Sequence, residues 1–321
     1  MEIRENDLIK RLKRFEQKSG RVIRGIGDDG AVVDMPGGRY VFVQDALVEH
    51  IHFEFSFMDT FSIGKKSIYV NVSDILSMGA DPLYFLVTIG IPWNISYKKI
   101  LDLYKGMRRA ALEFNITLLG GDTVETKGDF FIDVSMVGIL KKDTYLGRNT
   151  AKTGDFIGVT EWLGESAEGL YRLQNNMIPK KPCRYIKRYR EPKPPYNIWK
   201  ELMKRDITNA MMDVSDGLII DLERMMIESK KGAVIHVEDI PVPKTLKKEG
   251  REHLAFSGGE DYQLLFTFGE DKLVDFNEMK KEGFNVSLIG KVVRGKGVKI
   301  LKNGKEITIS SKGYEHFGDN T

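Results

Sequence analysis

A single cysteine, Cys183, stands among 321 residues. That scarcity excludes an internal disulfide framework and any multi-cysteine zinc or iron–sulfur site. It fits a reducing compartment, so a cytoplasmic protein is expected. No apolar run approaches the length of a membrane span. The opening residues, MEIRENDLIKRLKRFEQK, carry charges throughout and lack the apolar core of a signal peptide. An excess of one charge is also missing: 49 Lys and Arg face 46 Asp and Glu, a formal net charge of +3, with no basic tract. Neither nucleic acid nor membrane is therefore an expected partner. What the chain does have is 41% apolar and 30% charged residues, with length enough for two domains around a real core.

Periodicity sorts the chain into alternating helices and strands. Leu8, Leu12 and Phe15 recur at helical spacing behind Asn6 and Asp7, which could cap a short amphipathic helix. GRYVFVQDALVEHIHFEF predicts one strand or two. TFSIGKKSIYVNVSDILSMGADP predicts a helix beginning near Thr60 or Ser62 and stopped by Gly79 and Pro82. LYFLVTIGIP reads as a buried strand, SYKKILDLYKGMRRAALEFN as a helix, ITLLGGDTVE as a strand running into a glycine turn, and FFIDVSMVGIL as another strand. The polar segment 141–155 marks a domain boundary, giving halves 1–145 and 146–321. The second half predicts the strand DFIGVTE, the helix GESAEGLYRLQ, a proline-punctuated loop over 179–197, a helix at VSDGL, and the strands AVIHVED, DYQLLFTF and VSLIGKVV. LKNGKEI carries Asn-Gly between strand-like arms, the strongest short hairpin signal. The fold class expected is mixed α/β, or α+β, in two α/β domains, rather than a doubly wound parallel sheet. VSD then GGD in the first half is echoed by VSD then GGE in the second. A duplicated unit is the preferred reading of that echo.

Three motifs mislead. GIGDDG at 25–30 satisfies G-x-G-x-x-G, but AVVDMPGGRYVF follows where a helix should open, and Asp28 and Asp29 would face a pyrophosphate. GKVVRGKG at 290–297 has Gly297 where a P-loop places its hydroxyl. His50 and His52 alternate on one face of an expected strand without the further ligands zinc needs, though one of them could still grip an anion.

Acids remain to be explained. Asp29, Asp45, Asp74, Asp122, Asp213 and Asp216 each sit beside glycine, serine or an apolar run. Each alone could be a turn residue or a helix cap. Six together are harder to explain locally, because a buried carboxylate is costly unless a cation accompanies it. No Arg or Lys neighbours YVNVSDILSMG or NAMMDVSDG in the sequence. Oxygen ligands without cysteine suit Mg²⁺, which is commonly shared with substrate phosphates. Several ions imply an anionic substrate and phosphoryl transfer. The glycines of GGD (120–122) and SGGED (257–261) would let backbone amides approach phosphate. Arg148 in LGRNT could clamp a transferring phosphate or be an interdomain surface arginine.

GIGDDGAVV, DALVEHIHF, VNVSDILSMGADP, LLGGDTVE, GRNTAKTGD, MDVSDGLIIDL, SGGEDYQLLF and KGYEHF occur in the order found in the thiamine-monophosphate kinase family, of the aminoimidazole ribonucleotide synthetase-like superfamily. The resemblance runs from about residue 20 to 318. It implies ATP-dependent phosphorylation of thiamine monophosphate to the diphosphate, several Mg²⁺ ions, and a homodimer joined through N-terminal strands. Asp29, Asp45, Asp74, Asp122, Asp213 and Asp216 resemble the family's metal-binding acids. Tyr104, Gly121, Asp122, Arg148 and Ser215 resemble its nucleotide contacts, and His52, Glu260 and Tyr314 its contacts to the thiamine phosphate. Val43-Gln44-Asp45 departs from the family's Ser-Thr-Asp; Gln44 could still offer an amide oxygen to a metal. An acceptor phosphate is ionised at neutral pH, so no general base is needed. The barrier is the approach of two anions. The alternatives are another ATP-dependent synthetase of the superfamily, or a non-catalytic partner that holds Mg-ATP. The markers of two relatives are missing here: selenophosphate synthetase needs a reactive cysteine or selenocysteine near the N-terminus, whereas Cys183 is mid-chain, and the hydrogenase-maturation relative relies on a C-terminal cysteine.

Overall fold

Alternating burial and glycine-bearing turns divide the chain between two sheets. The structure, a computed structural model, describes residues 5–15, 19–309, 311, 313 and 314. Strands β1 (Val22–Arg24), β2 (Ala31–Met35), β3 (Gly38–Val48), β4 (Ala80–Pro92), β5 (Thr117–Thr126) and β6 (Phe131–Leu140) form a six-stranded sheet in the order β1-β2-β3-β6-β4-β5. Its neighbours are antiparallel except β4 and β5, which a helix connects in parallel. The helices of this half are α1 (Glu5–Leu12), α2 (Thr60–Ser77) and α3 (Tyr97–Phe114). The second sheet holds β7 (Phe156–Thr160), β8 (Ala210–Val214), β9 (Gly232–His236), β10 (Gln263–Phe268), β11 (Val286–Val293), β12 (Gly297–Lys302) and β13 (Lys305–Ile307), in the order β13-β12-β9-β11-β7-β10-β8. Around it lie α4 (Glu165–Gln174), α5 (Arg184–Arg190), α6 (Tyr196–Lys204) and α7 (Leu218–Ser229). The mixed α/β class is as expected, and segment 141–155 joins the two sheets.

The helix α2 explains why acids interrupt an apolar run. Asp59 caps it, accepting from the Ser62 amide at 2.7 Å. It is buried along nearly its whole length. One side lies on β3, β4 and β6 and another meets β8 and β10 of the second sheet. A Cβ at Gly64 would come 2.1 Å from the Leu103 carbonyl, so glycine permits the close crossing of α3. One apolar core therefore runs from Val41, Phe85 and Val134 through Ile68 and Val72 to Trp199, Leu264 and Phe266. A second core fills the far face of the second sheet, where Leu218, Leu222 and Met226 of α7 meet Val159 and Leu265. A helix enclosed on both sides reads as apolar throughout, and only its end facing a cavity admits carboxylates.

Several local expectations change. Pro82 lies within β4, next to an irregularity in its pairing with β6, and Gly79 at φ +79° alone ends α2. The loop predicted over 179–197 contains α5. The GGD string is not a turn but part of β5. The two VSD strings differ in setting: the first is inside α2, the second begins at the end of β8 and turns towards α7. GGE likewise lies in the approach to β10, so the echo of short strings is not an echo of structure. The Asn303-Gly304 hairpin forms as expected, with φ of +50° and +73°. Of KGYEHF, only Gly313 and Tyr314 fall among the described residues.

Candidate active site

Carboxylates from three elements and three loops converge where the halves meet. A cavity of about 650 Å³ is lined by Asp29, Gln44, Asp45, His52, Asp74, Arg148, Asp213, Ser215, Asp216, Glu260 and Tyr314. Asp29 comes from the loop before β2, Asp45 from β3, Asp74 from α2 and Asp213 from β8. Carboxylate oxygens of Asp29, Asp74 and Asp213 lie within 4.8 Å of one another. Ser73 donates to Asp213 at 2.7 Å, tying α2 to β8 across the seam. Asp29 Oδ2 is buried and has no hydrogen-bond partner among the described residues.

Like charges this close, shielded from water, favour protonation. Burial pushes Asp74 well above the ordinary carboxylate range, and the charge of Asp45 adds to it. Burial does the same to Asp213, and the charge of Asp29 adds to it. Asp45 is pushed up to about 7 by burial and then by Asp216. Asp28 rises to about 6 through burial and its neighbour Asp29. The cations nearby do not balance these acids. Arg148 donates through Nε to Asp29 at 3.1 Å, with a second contact from its Nη2, and its amide donates to Asp28 at 3.2 Å. Burial opposes its charge, yet Asp29 and Asp28 hold its pKa above the ordinary value. Arg224 pairs with Asp216 and, at 3.0 Å, with Asp221. An orphaned buried oxygen beside three converging carboxylates fits a hard divalent cation with oxygen ligands. Asp29, Asp74 and Asp213 are placed to hold one, and Asp45 and Asp216 line the same cavity.

The acceptor side has its own order. His52 Nδ1 accepts from the Val48 amide at 3.1 Å, which leaves the ring proton on Nε2. Lys66 is wholly buried; its ammonium donates to the His52 carbonyl at 2.9 Å and pairs with Glu260 at 2.5 Å. Glu260 takes φ +65°, an unusual conformation for a non-glycine residue, held by its amide bonding the Ser215 carbonyl at 2.6 Å. The Tyr314 amide bonds the Asp216 carbonyl at 2.9 Å.

Three expected residues stand apart from this cavity. Tyr104 is half-buried against the core, while Gly121 and Asp122 lie on β5, exposed along almost its whole length at the sheet edge. A Cβ at Gly121 would fall 1.7 Å from the Val87 carbonyl, so that glycine is required by strand pairing. Gln44 lines the cavity, but its side-chain amide donates to Asp133 at 2.8 Å, on the sheet face opposite to Asp45. Lys66, Ser73, Asp28 and Arg224 were not singled out from sequence. Only Asp28, beside Asp29 in GDDG, carried a visible signal.

The two α/β halves belong to the AIR synthase related proteins. Residues 27–140 match the family model of the AIR synthase related protein N-terminal domain, and residues 187–303 that of the C-terminal domain. Thiamine-monophosphate kinase of Buchnera aphidicola subsp. Acyrthosiphon pisum is 35% identical over 320 residues, covering 96% of this chain and 97% of the relative. The enzyme of that name from Escherichia coli K12 is 33% identical, with 91% of each chain covered. A solved structure of AaThiL complexed with AMPPCP and TMP is 30% identical with a TM-score of 0.84, covering 98% and 97% of the two chains. Within the AIR synthase related proteins, the chain belongs to the thiamine-monophosphate kinase family. An Escherichia coli hydrogenase maturation protein shares the fold, at 19% identity and a TM-score of 0.70.

Proposed function

We propose that this protein transfers the terminal phosphate of ATP directly to the phosphate of thiamine monophosphate, with Mg²⁺ ions held by Asp29, Asp45, Asp74, Asp213 and Asp216. The observation that carries the reading is the convergence of Asp29, Asp74 and Asp213, whose carboxylate oxygens lie within 4.8 Å of one another. Their family's kinase name and the likeness to a structure holding AMPPCP and TMP support it. Bound divalent cations would supply charge neutralisation between the two phosphates. The chain's own residues then have separate tasks. Arg148 is held at the cavity wall by Asp29 and Asp28, where its fork can meet a phosphate. His52 and Glu260 face the acceptor, both steadied by Lys66. No basic group is required to activate an acceptor oxygen already ionised.

We also place Tyr104, Gly121 and Asp122 at the nucleotide of a second copy in a homodimer. Strand pairing aligns Asp122 with Thr88, Asp133 and Ala46, on the sheet face that α2 leaves bare. Tyr84 and Leu86 on that face are 44% and 48% exposed, an apolar surface suited to a like partner. The test of function is ADP release with ATP and Mg²⁺, across thiamine phosphates and purine-pathway intermediates. Release that depends on thiamine monophosphate and yields thiamine diphosphate is expected. ATP binding without turnover would favour the non-catalytic reading, and turnover with another acceptor would favour a related synthetase.

A further inference from the structure

A second cavity between the halves differs from the first in every lining residue and in sign. It measures about 550 Å³ and lies where α2 and α3 meet α4 and α5. Six of its lining residues are cationic and three are acidic. Each acid already has a partner. Lys65 pairs with Glu191, Arg184 pairs with Glu165, and Glu113 has Lys193 at 2.7 Å and Arg109 at 3.9 Å. Lys187 and Arg188 are left over, with no carboxylate in ion-pair contact among the described residues.

Arg188 is the telling member. Its Nη1 donates to the Lys193 carbonyl at 2.8 Å and its Nη2 reaches the Asp261 carbonyl at 3.5 Å. Carbonyls orient a guanidinium but do not neutralise it. Its Nε is buried and has no hydrogen-bond partner among the described residues. Burial weighs on the charged form enough to lower its pKa despite nearby acids. Lys66, one helical position from Lys65, shows what a satisfied buried cation looks like here, with a carboxylate and a carbonyl both in contact. A cation left with an orphaned donor in a cleft of surplus positive charge lacks a counter-anion.

We propose that this cleft is a second anion site, separate from the acidic cavity, which takes a phosphate-type polyanion on Arg188 and Lys187. Tyr69, the aromatic residue lining it, is buried, with its hydroxyl donating to Glu113 at 3.2 Å. The cleft thus offers no exposed ring for a base to stack on, and charge with guanidinium geometry sets its preference.

Calorimetry on the full chain, with EDTA and no divalent ion, tests this at physiological salt. Under those conditions no divalent ion is present to bridge a polyanion to the aspartates of the first cavity, so binding reports the cleft. Inorganic pyrophosphate should bind saturably, and Lys187→Glu and Arg188→Gln should each weaken it about tenfold or more. Lys187 is exposed, so its variant should keep the wild-type melting temperature even if the Arg188 variant does not. ADP as a second probe separates the sources. Equal affinity means recognition of the oxyanion alone; tighter binding of ADP means an organic diphosphate. The proposal is overturned by no saturable binding up to about 10 mM, by affinity unmoved in Lys187→Glu, or by binding that Asp74→Asn alters as strongly.

Discussion

A lysine with no exposed surface must be neutralised where it lies, and Lys66 meets both the His52 carbonyl and the Glu260 carboxylate. It thereby couples a residue of the first half to one of the second, each facing the proposed acceptor. Lys66→Met should leave Glu260 unpaired. Because Glu260 keeps 25% of its side-chain surface, the loss should be about 2–3 kcal/mol, below that of a wholly buried pair. The same variant should raise the KM for the acceptor by about tenfold with less change in kcat. Adding Glu260→Gln should regain part of the melting temperature but not the KM. An unchanged acceptor KM in Lys66→Met would remove it from substrate positioning. Asp74 behaves differently, since burial and Asp45 already push its carboxyl towards the neutral form. Asp74→Asn removes a charge that the metal-free fold tolerates poorly. Its melting temperature without Mg²⁺ should equal or exceed the wild type's, while turnover falls roughly a hundredfold or more. Near-normal turnover at saturating Mg²⁺ would contradict the metal role.

At the level of elements, β5 is the strand whose surroundings are incomplete. It is an edge strand exposed nearly throughout, the kind of edge that proteins usually cover. If Asp122 serves the partner's site, an Asp74→Asn chain and an Asp122→Asn chain should complement each other. Each mixed dimer then has one site with both wild-type acids and one with neither. Mixing equal amounts after subunit exchange should restore about a quarter of the wild-type rate. No recovery, with exchange confirmed by mass, would place Asp122 in its own chain's site. The same geometry shows what the sequence could and could not convey. Asp74 and Asp213 were legible because an acid inside an apolar run stands out, and Asp29 because it sits in a glycine turn. The helix α2 and the Asn303-Gly304 hairpin were legible because period and turn chemistry are local. The GGD string was misread because glycine signals a turn or a close strand crossing equally, and only Val87 on the neighbouring strand decides. Lys66 and Arg188 carried no signal, since their pairing depends on residues far along the chain.

For the molecule as a whole, the assembled carboxylates set how stability depends on pH. Asp45, Asp221 and Asp261 have folded-state pKa values of about 7, each raised first by burial. Their unfolded values lie near about 4. A raised folded value means that folding takes up protons. The stability it contributes is full below about pH 4 and is lost as pH rises through about 7. Without divalent ions, the melting temperature should therefore fall from about pH 5 to about pH 8. Mg²⁺ competes with protons for the acidic cavity, so the gain in melting temperature on adding it should widen over the same range. Asp261 provides an internal control. It sits at the start of α4, accepting from the Gly164 and Ser166 amides at 2.5 and 3.1 Å, and does not line the acidic cavity. Asp74→Asn should shrink the Mg²⁺-dependent part of the slope, while Asp261→Asn should shrink only the part that Mg²⁺ leaves uncorrected. Melting curves with and without Mg²⁺ that run parallel from about pH 5 to about pH 8 would show that the carboxylates do not share a metal.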